Sequence, residues 1–341
     1  MKIHVDTSSR VPIYKQLVDS VKQAVKGGQI RPGDILPSMN DLAASKGISR
    51  ETVKKAYTIL AKDGSIVPKQ GKGFYVAEKE TNGISKVLVI FDKFSVYKQV
   101  IFNAFEEALR EKAEITVLTH NQNLDVLKYY LDTHLDEYDW YVISPHFPLD
   151  EESQAKAVKL ISRIPNRKLI MLDRWLEQYP GNYGAVFQDF ENDVFTGLEQ
   201  GLDRLAKASS LKVITLPESL YGSLIKKGID QFSDRYGIPV QYSFSAPEHI
   251  EKGDIFLVLN SQLDWGLAAL ARKAKELGLE IGKNVFIISY NDFVLNDVVL
   301  GGLTTISTDF ALMGRLAAEM ILKKDLSKRH CEFKMNRRST F

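Results

Sequence analysis

The chain has 341 residues, of which 44% are hydrophobic and 26% charged, the make-up of a folded protein long enough for two or three domains. Its single cysteine excludes an intramolecular disulfide, no apolar run approaches the ~18 residues of a membrane span, and 6 scattered histidines with neither HExxH nor paired Cys/His spacing offer no metal site. The net charge of +2 hides an asymmetry: residues 1–80 carry 14 Lys and Arg against 8 Asp and Glu, the remainder 31 against 35, so the N-terminal part suits a polyanionic partner.

MKIHVDTSS has no apolar core of a secretory signal, and with a reduced Cys331 the expected location is the cytoplasm. The most informative stretch is LPSMNDLAASKGISRETVKKAYTILAKDGSIVPKQGKGFYV, residues 36–76. Ser38 followed three residues on by Asp41 has capping-box spacing, which starts a short helix at about Met39, and Gly47 supplies the backbone freedom to end it. Ser49 is the natural N-cap of the next helix. In that helix Val53, Ala56, Tyr57 and Leu60 recur at i, i+3, i+4 and i+7 as the buried stripe, which leaves Arg50, Lys54 and Lys55 toward solvent. Two short strands, expected at 65–68 and 74–76, flank a Gly-Lys-Gly tip where backbone and Lys72 can approach a phosphate. The expected architecture is an α+β winged helix-turn-helix with a basic recognition helix. The Gly-x-Gly joins strands and opens no helix, so it is no nucleotide loop.

These residues carry a family resemblance. Residues 12–76 resemble the DNA-binding domain of GntR-family bacterial transcription factors, with Pro12 at a helix start, IRPGDILPS, SRETV, the DG after the third helix and GKGFYV in family order and spacing. The resemblance implies a DNA interface made of Ser38, Asn40, Ser49, Arg50, Glu51, Thr52, Lys54, Lys55 and the wing tip Gly71, Lys72 and Gly73. Asn40 stands where the family usually has an arginine, which shifts the expected recognition load onto Arg50, Lys54 and the wing. The domain expected is 1–77, followed by a polar, charged linker at 78–85.

From residue 86 apolar runs alternate with amphipathic helical stretches. Strands are expected at 86–91, 115–118, 140–144, 168–172, 185–187, 211–216, 240–244, 255–259 and 285–289. This alternation predicts parallel α/β sheets, and nine strands over about 255 residues predict two doubly wound lobes facing a cleft. FNAFEEALRE, YDWYVISP, KLIMLDRW, VFQDFEND, GIDQF, NSQLDWGLAALARKAKELG, FIISYND, LTTIS and RRST follow one another as in the sugar-binding domain of LacI-type repressors, which is itself similar to periplasmic binding proteins of type I. The resemblance implies lobes of about 86–182 with 293–324 and 183–292 with 325–341. It also implies a ligand set of Phe94, Ser95, Tyr97, Ser144, His146, Asp173, Arg174, Asp189, Tyr221, Asn260, Trp265, Asn291 and Asp292. Such a set suits a sugar, because Asp, Asn and Arg offer planar hydrogen-bonding forks and aromatic rings cover apolar C–H faces.

Two departures bear on the ligand. Ile225 stands where the family often has an arginine three residues before a glycine, and Asn291 replaces the usual aspartate of an FDD motif, so the ligand is expected to differ from the family's commonest ones. A neutral sugar fits better than a carboxylate or phosphate because the implied ligand set has few uncompensated cations. The combination resembles arabinose- and fucose-type repressors and implies a homodimer that binds operator DNA and a monosaccharide, with no cofactor and no enzymatic activity. The alternatives are a winged helix fused to an enzyme-like domain holding pyridoxal phosphate, as in aminotransferase-like fusions, and an architectural DNA-binding protein with a vestigial cleft.

Overall fold

The computed structural model describes residues 5, 6, 9, 11–69, 72–77, 84–215, 219–259 and 265–341, with backbone alone for Lys26 and Trp265. The chain divides into two compact units, Met1–Gly83 and Ile84–Phe341.

In the first unit α1 (Ile13–Lys26), α2 (Met39–Lys46) and α3 (Arg50–Lys62) precede a hairpin of β1 (Ile66–Lys69) and β2 (Gly73–Val76). Both expected caps form: Ser38 Oγ accepts from the Asp41 N–H at 3.1 Å, and Ser49 Oγ from the Thr52 N–H at 3.2 Å. Gly47 ends α2 at φ 62°, a left-handed conformation that glycine adopts without a Cβ penalty. The stripe Val53, Ala56, Tyr57 and Leu60 is buried against Leu17 and Val21 of α1. Tyr57 also donates its hydroxyl to the Pro37 carbonyl at 2.8 Å, tying the recognition helix to the segment before α2. A third segment joins the wing, since Gly33, Asp34 and Leu36 exchange backbone bonds with β2.

The second unit comprises β3 (Ser85–Phe91), α4 (Val96–Leu109), β4 (Ala113–Thr119), α5 (Leu124–His134), β5 (Trp140–Ile143), α6 (Glu151–Ile161), β6 (Leu169–Asp173) and β7 (Gly184–Phe187). It continues with α7 (Phe190–Glu199), α8 (Leu202–Leu205), β8 (Leu211–Ile214), α9 (Gly222–Tyr236), β9 (Val240–Ser243), β10 (Ile255–Val258), α10 (Trp265–Glu276) and β11 (Phe286–Tyr290). It closes with β12 (Thr304–Thr308), α11 (Phe310–Lys323), β13 (Lys328–His330) and β14 (Phe333–Asn336). The strands form two six-stranded sheets, ordered β13-β7-β6-β5-β3-β4 and β14-β12-β11-β10-β8-β9, parallel throughout except for the β12–β14 pair.

Each sheet is covered on both faces, which is why its central strands read as continuous apolar runs. In β3, Val87, Val89 and Phe91 pack with α4 and α11, while Leu88 and Ile90 pack with α5 and α6. In β10, Ile255 and Leu257 face the core of α7 and α9, and Phe256 and Val258 face α10. Two glycines allow helices to close up: a Cβ on Gly314 would lie 2.2 Å from the Ile101 carbonyl of α4, and one on Gly228 2.1 Å from the Glu191 carbonyl of α7.

The lobe boundaries differ from those expected. β7 belongs to the first sheet and β12 to the second, so the chain crosses between lobes after β7, after β12 and between β13 and β14, later than 182, 292 and 324. The second of these shifts comes from β12, absent from the expected strands because TTIST looks polar. Its buried hydroxyls are consumed internally: Thr304 Oγ1 accepts from the Arg338 N–H at 2.8 Å and Ser307 Oγ from the Asp292 N–H at 2.9 Å.

Leu60→Ala should remove about 2–5 kcal/mol from the first unit. All 3 tryptophans (Trp140, Trp175 and Trp265) lie in the second unit. In urea, the helix signal of the first unit should therefore shift while the tryptophan fluorescence transition stays in place.

Candidate functional site

In the first unit the exposed face of α3 presents Arg50, Glu51, Lys54 and Lys55, and Asn40 is exposed on α2. The two capping serines have their hydroxyls engaged, Ser38 with Asp41 and Ser49 with Thr52, so their first role is to hold the helix starts. Lys54 lies 3.7 Å from Glu51, an exposed pair that yields readily to a phosphate. Lys55 instead places its ammonium 4.0 Å from the centre of the Tyr14 ring, toward α1. Arg50 has no such engagement among the described residues and stands in the first turn of the helix. On the wing Lys72 is exposed and Gly73 has φ 97°, while Gly71 lies outside the described residues.

In the second unit the carboxyl ends of the parallel strands open on a cavity of about 340 Å³. It sits where strand order reverses in both sheets, beside β3 and β5 on one side and β8 and β10 on the other, the position at which doubly wound sheets bind ligands. One ionic cluster forms its floor. Lys98, 5% exposed, extends its ammonium 3.1 Å from Asp92 Oδ1 and into contact with Asp173 Oδ2. Asp173 Oδ2 is also 3.0 Å from His146 Nε2, and Tyr221 Oη is 2.7 Å from His146 Nδ1. An ionised carboxylate only accepts, so the imidazole carries a proton on Nε2. The second Asp173 oxygen accepts from the Gln188 amide.

Burial opposes the charge on Asp173, but Lys98 and His146 overcome it and hold the carboxyl far below the usual carboxylate range. Asp92 is likewise lowered, burial being outweighed by Lys98 and His146. Burial opposes the charge on Lys98 too, yet Asp173 and Asp92 raise it above the ordinary lysine value. The cluster therefore stays ionised near neutrality, with two carboxylates around one ammonium.

Above this floor, Phe190 stacks on Tyr221 with ring centres 4.0 Å apart and Tyr97 on Phe310 at 5.0 Å. Tyr290 Oη and Asn291 Oδ1 are buried at the cleft without a hydrogen-bond partner among the described residues. Burial pushes the Tyr290 hydroxyl well above its usual range, so it remains a neutral donor. Asp173 and Asn291 both adopt left-handed φ, 72° and 70°, at the ends of β6 and β11, which turns their side chains at the strand ends at a small backbone cost.

Of the expected ligand residues, Ser95, Tyr97, His146, Asp173, Tyr221 and Asn291 are brought together on the cleft wall. Five others are placed outside it. Phe94 is 51% exposed and contacts Phe91 and Phe102 edge-on. Ser144 is buried at the end of β5, where its carbonyl accepts from His120. Arg174 bonds Gln154 at 3.3 Å and covers the Tyr221 ring. Asp189 caps α7 through the Asn192 N–H, and Asp292 forms a bidentate pair with Arg338 at 3.0 Å. Asn260 and the Trp265 side chain lie outside the described residues.

Sequence reading missed Asp92, Lys98, Gln188 and Tyr290. A signal for Lys98 existed: it shares the buried stripe of α4 with Ile101, Phe105 and Leu109, where a lysine has no place unless it is paired.

Residues 13–76 match the family described as bacterial regulatory proteins, gntR family, and residues 257–332 match the periplasmic binding protein-like domain. The chain is 36% identical over 104 residues to the HTH-type transcriptional repressor YtrA of Bacillus subtilis, a match covering 30% of this chain and 78% of YtrA. It is 34% identical over 82 residues to the mannosyl-D-glycerate transport/metabolism system repressor MngR of Escherichia coli, covering 24% of this chain but only 34% of MngR. In structure it is similar to the trehalose repressor from Escherichia coli, with a TM-score of 0.59, 12% identity, and 74% of this chain and 99% of that one covered. That likeness shows the two-lobed fold of LacI-type repressors.

Lys98→Met should cost about 3–5 kcal/mol in urea at pH 7, because it strands two buried carboxylates. The wild-type contribution of Asp92 and Asp173 is present above their unfolded pKa near 4 and lost as pH falls through their lowered folded values. In Lys98→Met the carboxylates are instead eased by protonation, so the deficit should shrink between pH 7 and pH ~4.5. An unchanged deficit would contradict the assignment.

Proposed function

Because the chain belongs to the gntR family of bacterial regulatory proteins, we propose that it is a cytoplasmic transcriptional regulator whose affinity for operator DNA is set by a small neutral sugar in the cleft of its second unit. The observation that carries the ligand class is the cleft wall. Among the described lining residues the buried ammonium of Lys98 is already neutralised by Asp92 and Asp173, and these carboxylates offer sugar hydroxyls charged acceptors. Ile225, in the wall, supplies an apolar surface where an arginine would have recruited an acid. The unpartnered Tyr290 hydroxyl and Asn291 carbonyl oxygen supply one donor and one acceptor for a hydroxylated ring, and the stacked aromatic side chains supply faces for its C–H groups. The volume lies at the small end of ligand sites, about 300–1,000 Å³, which suits a single sugar ring.

At the DNA, Arg50 in the first turn of α3 reads a base edge, and Lys54 and Lys72 neutralise phosphates. A bidentate arginine–guanine contact contributes about 1–3 kcal/mol of discrimination. A homodimer reading a palindromic site through two winged helices fits this use of short recognition helices. The reading as a pyridoxal-phosphate enzyme has no support in the buried cleft lysine Lys98, which Asp92 and Asp173 keep protonated and which is therefore no free amine.

The test is a melting screen of neutral monosaccharides, including arabinose and fucose, against uronic acids and sugar phosphates. A neutral sugar at about 100 times its Kd should stabilise the second unit by about 2.7 kcal/mol. Asn291→Ala should lose that shift and keep DNA binding, and Arg50→Ala should keep the shift and lose selection of operator from random DNA. A response to acids or phosphates alone, or to no sugar, would overturn the reading.

A further inference from the structure

The chain passes between the lobes of the second unit at 188–189, at 309 and at 331–332, and these three crossovers are bonded to one another. The Cys331 N–H donates to the Phe187 carbonyl at 2.7 Å, the Asp309 N–H to the Glu332 carbonyl at 3.1 Å, and the Cys331 thiol to the Asp309 carbonyl at 3.3 Å. The Gln188 side chain connects this ring of bonds to the cleft. The Asp173 carboxylate can only accept, so the Gln188 amide must turn its NH₂ toward Asp173 Oδ1. That orientation leaves Oε1 to accept from Thr308 Oγ1, at 3.1 Å, one residue before the second crossover. Gln188, Asp173 and Thr308 are respectively 8%, 4% and 2% exposed, so none of these groups has water as a ready substitute.

We propose that Gln188 is a positioning residue through which the cleft carboxylate Asp173 sets the hinge between the lobes. Asp173 is held by Lys98 and His146 through one oxygen and by Gln188 through the other, so a ligand that draws on the carboxylate displaces the amide. The amide cannot answer by flipping, since that would set its carbonyl against the carboxylate. It moves as a unit, and Thr308 gains or loses its acceptor with it. The cleft is thereby linked to the crossover segment at Asp309, and through it to the third crossover at Cys331 and Glu332. The link holds whatever occupies the cleft, so its failure would leave the sugar reading standing.

Cys331 is the only cysteine in the chain and is fully buried in the third crossover, so its alkylation by iodoacetamide under native conditions, read by intact mass, reports opening of the hinge. Thr308→Val should raise the labelling rate about tenfold, the effect of one lost hydrogen bond on an opening equilibrium, and Gln188→Met, which loses the bonds to both Asp173 and Thr308, at least as much. The double variant should label no faster than Gln188→Met alone, and Thr308→Ser, which keeps the hydroxyl, should label at the wild-type rate. Asp173→Asn should speed labelling in the wild-type background and not in Gln188→Met. Urea unfolding of each variant separates hinge opening from global loss of stability. Wild-type labelling rates in Thr308→Val and Gln188→Met, multiplicative effects in the double variant, or rates accounted for by global stability alone would overturn the proposal.

Discussion

Lys98 reaches from the first turn of α4 into the interior, where Asp92 and Asp173 hold its ammonium out of water. Removing these charges from water costs several kcal/mol per ion, and replacing such a group with apolar residues is often neutral or stabilising, so stability alone does not account for it. What it does is fix geometry. Asp92 follows β3, Asp173 ends β6, and His146 follows β5, so a single cation sets the relative positions of three strand ends and the start of α4. The cleft wall is thus arranged by charge before any ligand enters, which lowers the ordering cost of binding.

The cluster also has a directional outlet. Asp173 faces the cleft with one oxygen and the crossover side with the other, so cleft chemistry and hinge geometry share one carboxylate. The inter-lobe contact of His330 with the buried Asp193, at 2.7 Å, adds a further bond across the crossovers, and that bond with Asp193 raises the histidine above its usual value. Communication through such a chain requires no large motion, only a difference in how well two arrangements satisfy the same buried groups.

The winged helix was legible in the sequence because its signals are local: Ser38 and Ser49 as caps, Gly47 as a stop, and a stripe of period 3.6 through Leu60. The alternating strands of the second unit were equally plain wherever they are apolar on both faces, as in β3 and β10. β12 was not, because Thr304, Thr305, Ser307 and Thr308 are buried with hydroxyls bonded to residues well outside the strand, such as Arg338 and Asp292, which no local pattern carries. At the site, the motif resemblance named Asp173, His146 and Asn291, and these three do line the cleft. Lys98 escaped because a helix lysine normally faces solvent, and its two partners come from separate strand ends. Phe94, Asp189 and Asp292 were placed at the ligand by motif, whereas ring contacts with Phe91 and Phe102 hold Phe94, a helix cap Asp189 and an ion pair Asp292 outside the cleft lining.

Binding of DNA by one unit and of a small ligand by the other amounts to regulation only if the two events exchange free energy, and such an exchange is reciprocal. Calorimetric titration of the monosaccharide identified by melting, performed on the protein with and without saturating operator DNA, tests this most directly. The sugar affinity should differ between the two titrations by the same factor by which the sugar alters operator affinity, a tenfold change corresponding to about 1.4 kcal/mol of coupling. Equal sugar affinity in the two titrations would contradict the coupling of cleft to DNA.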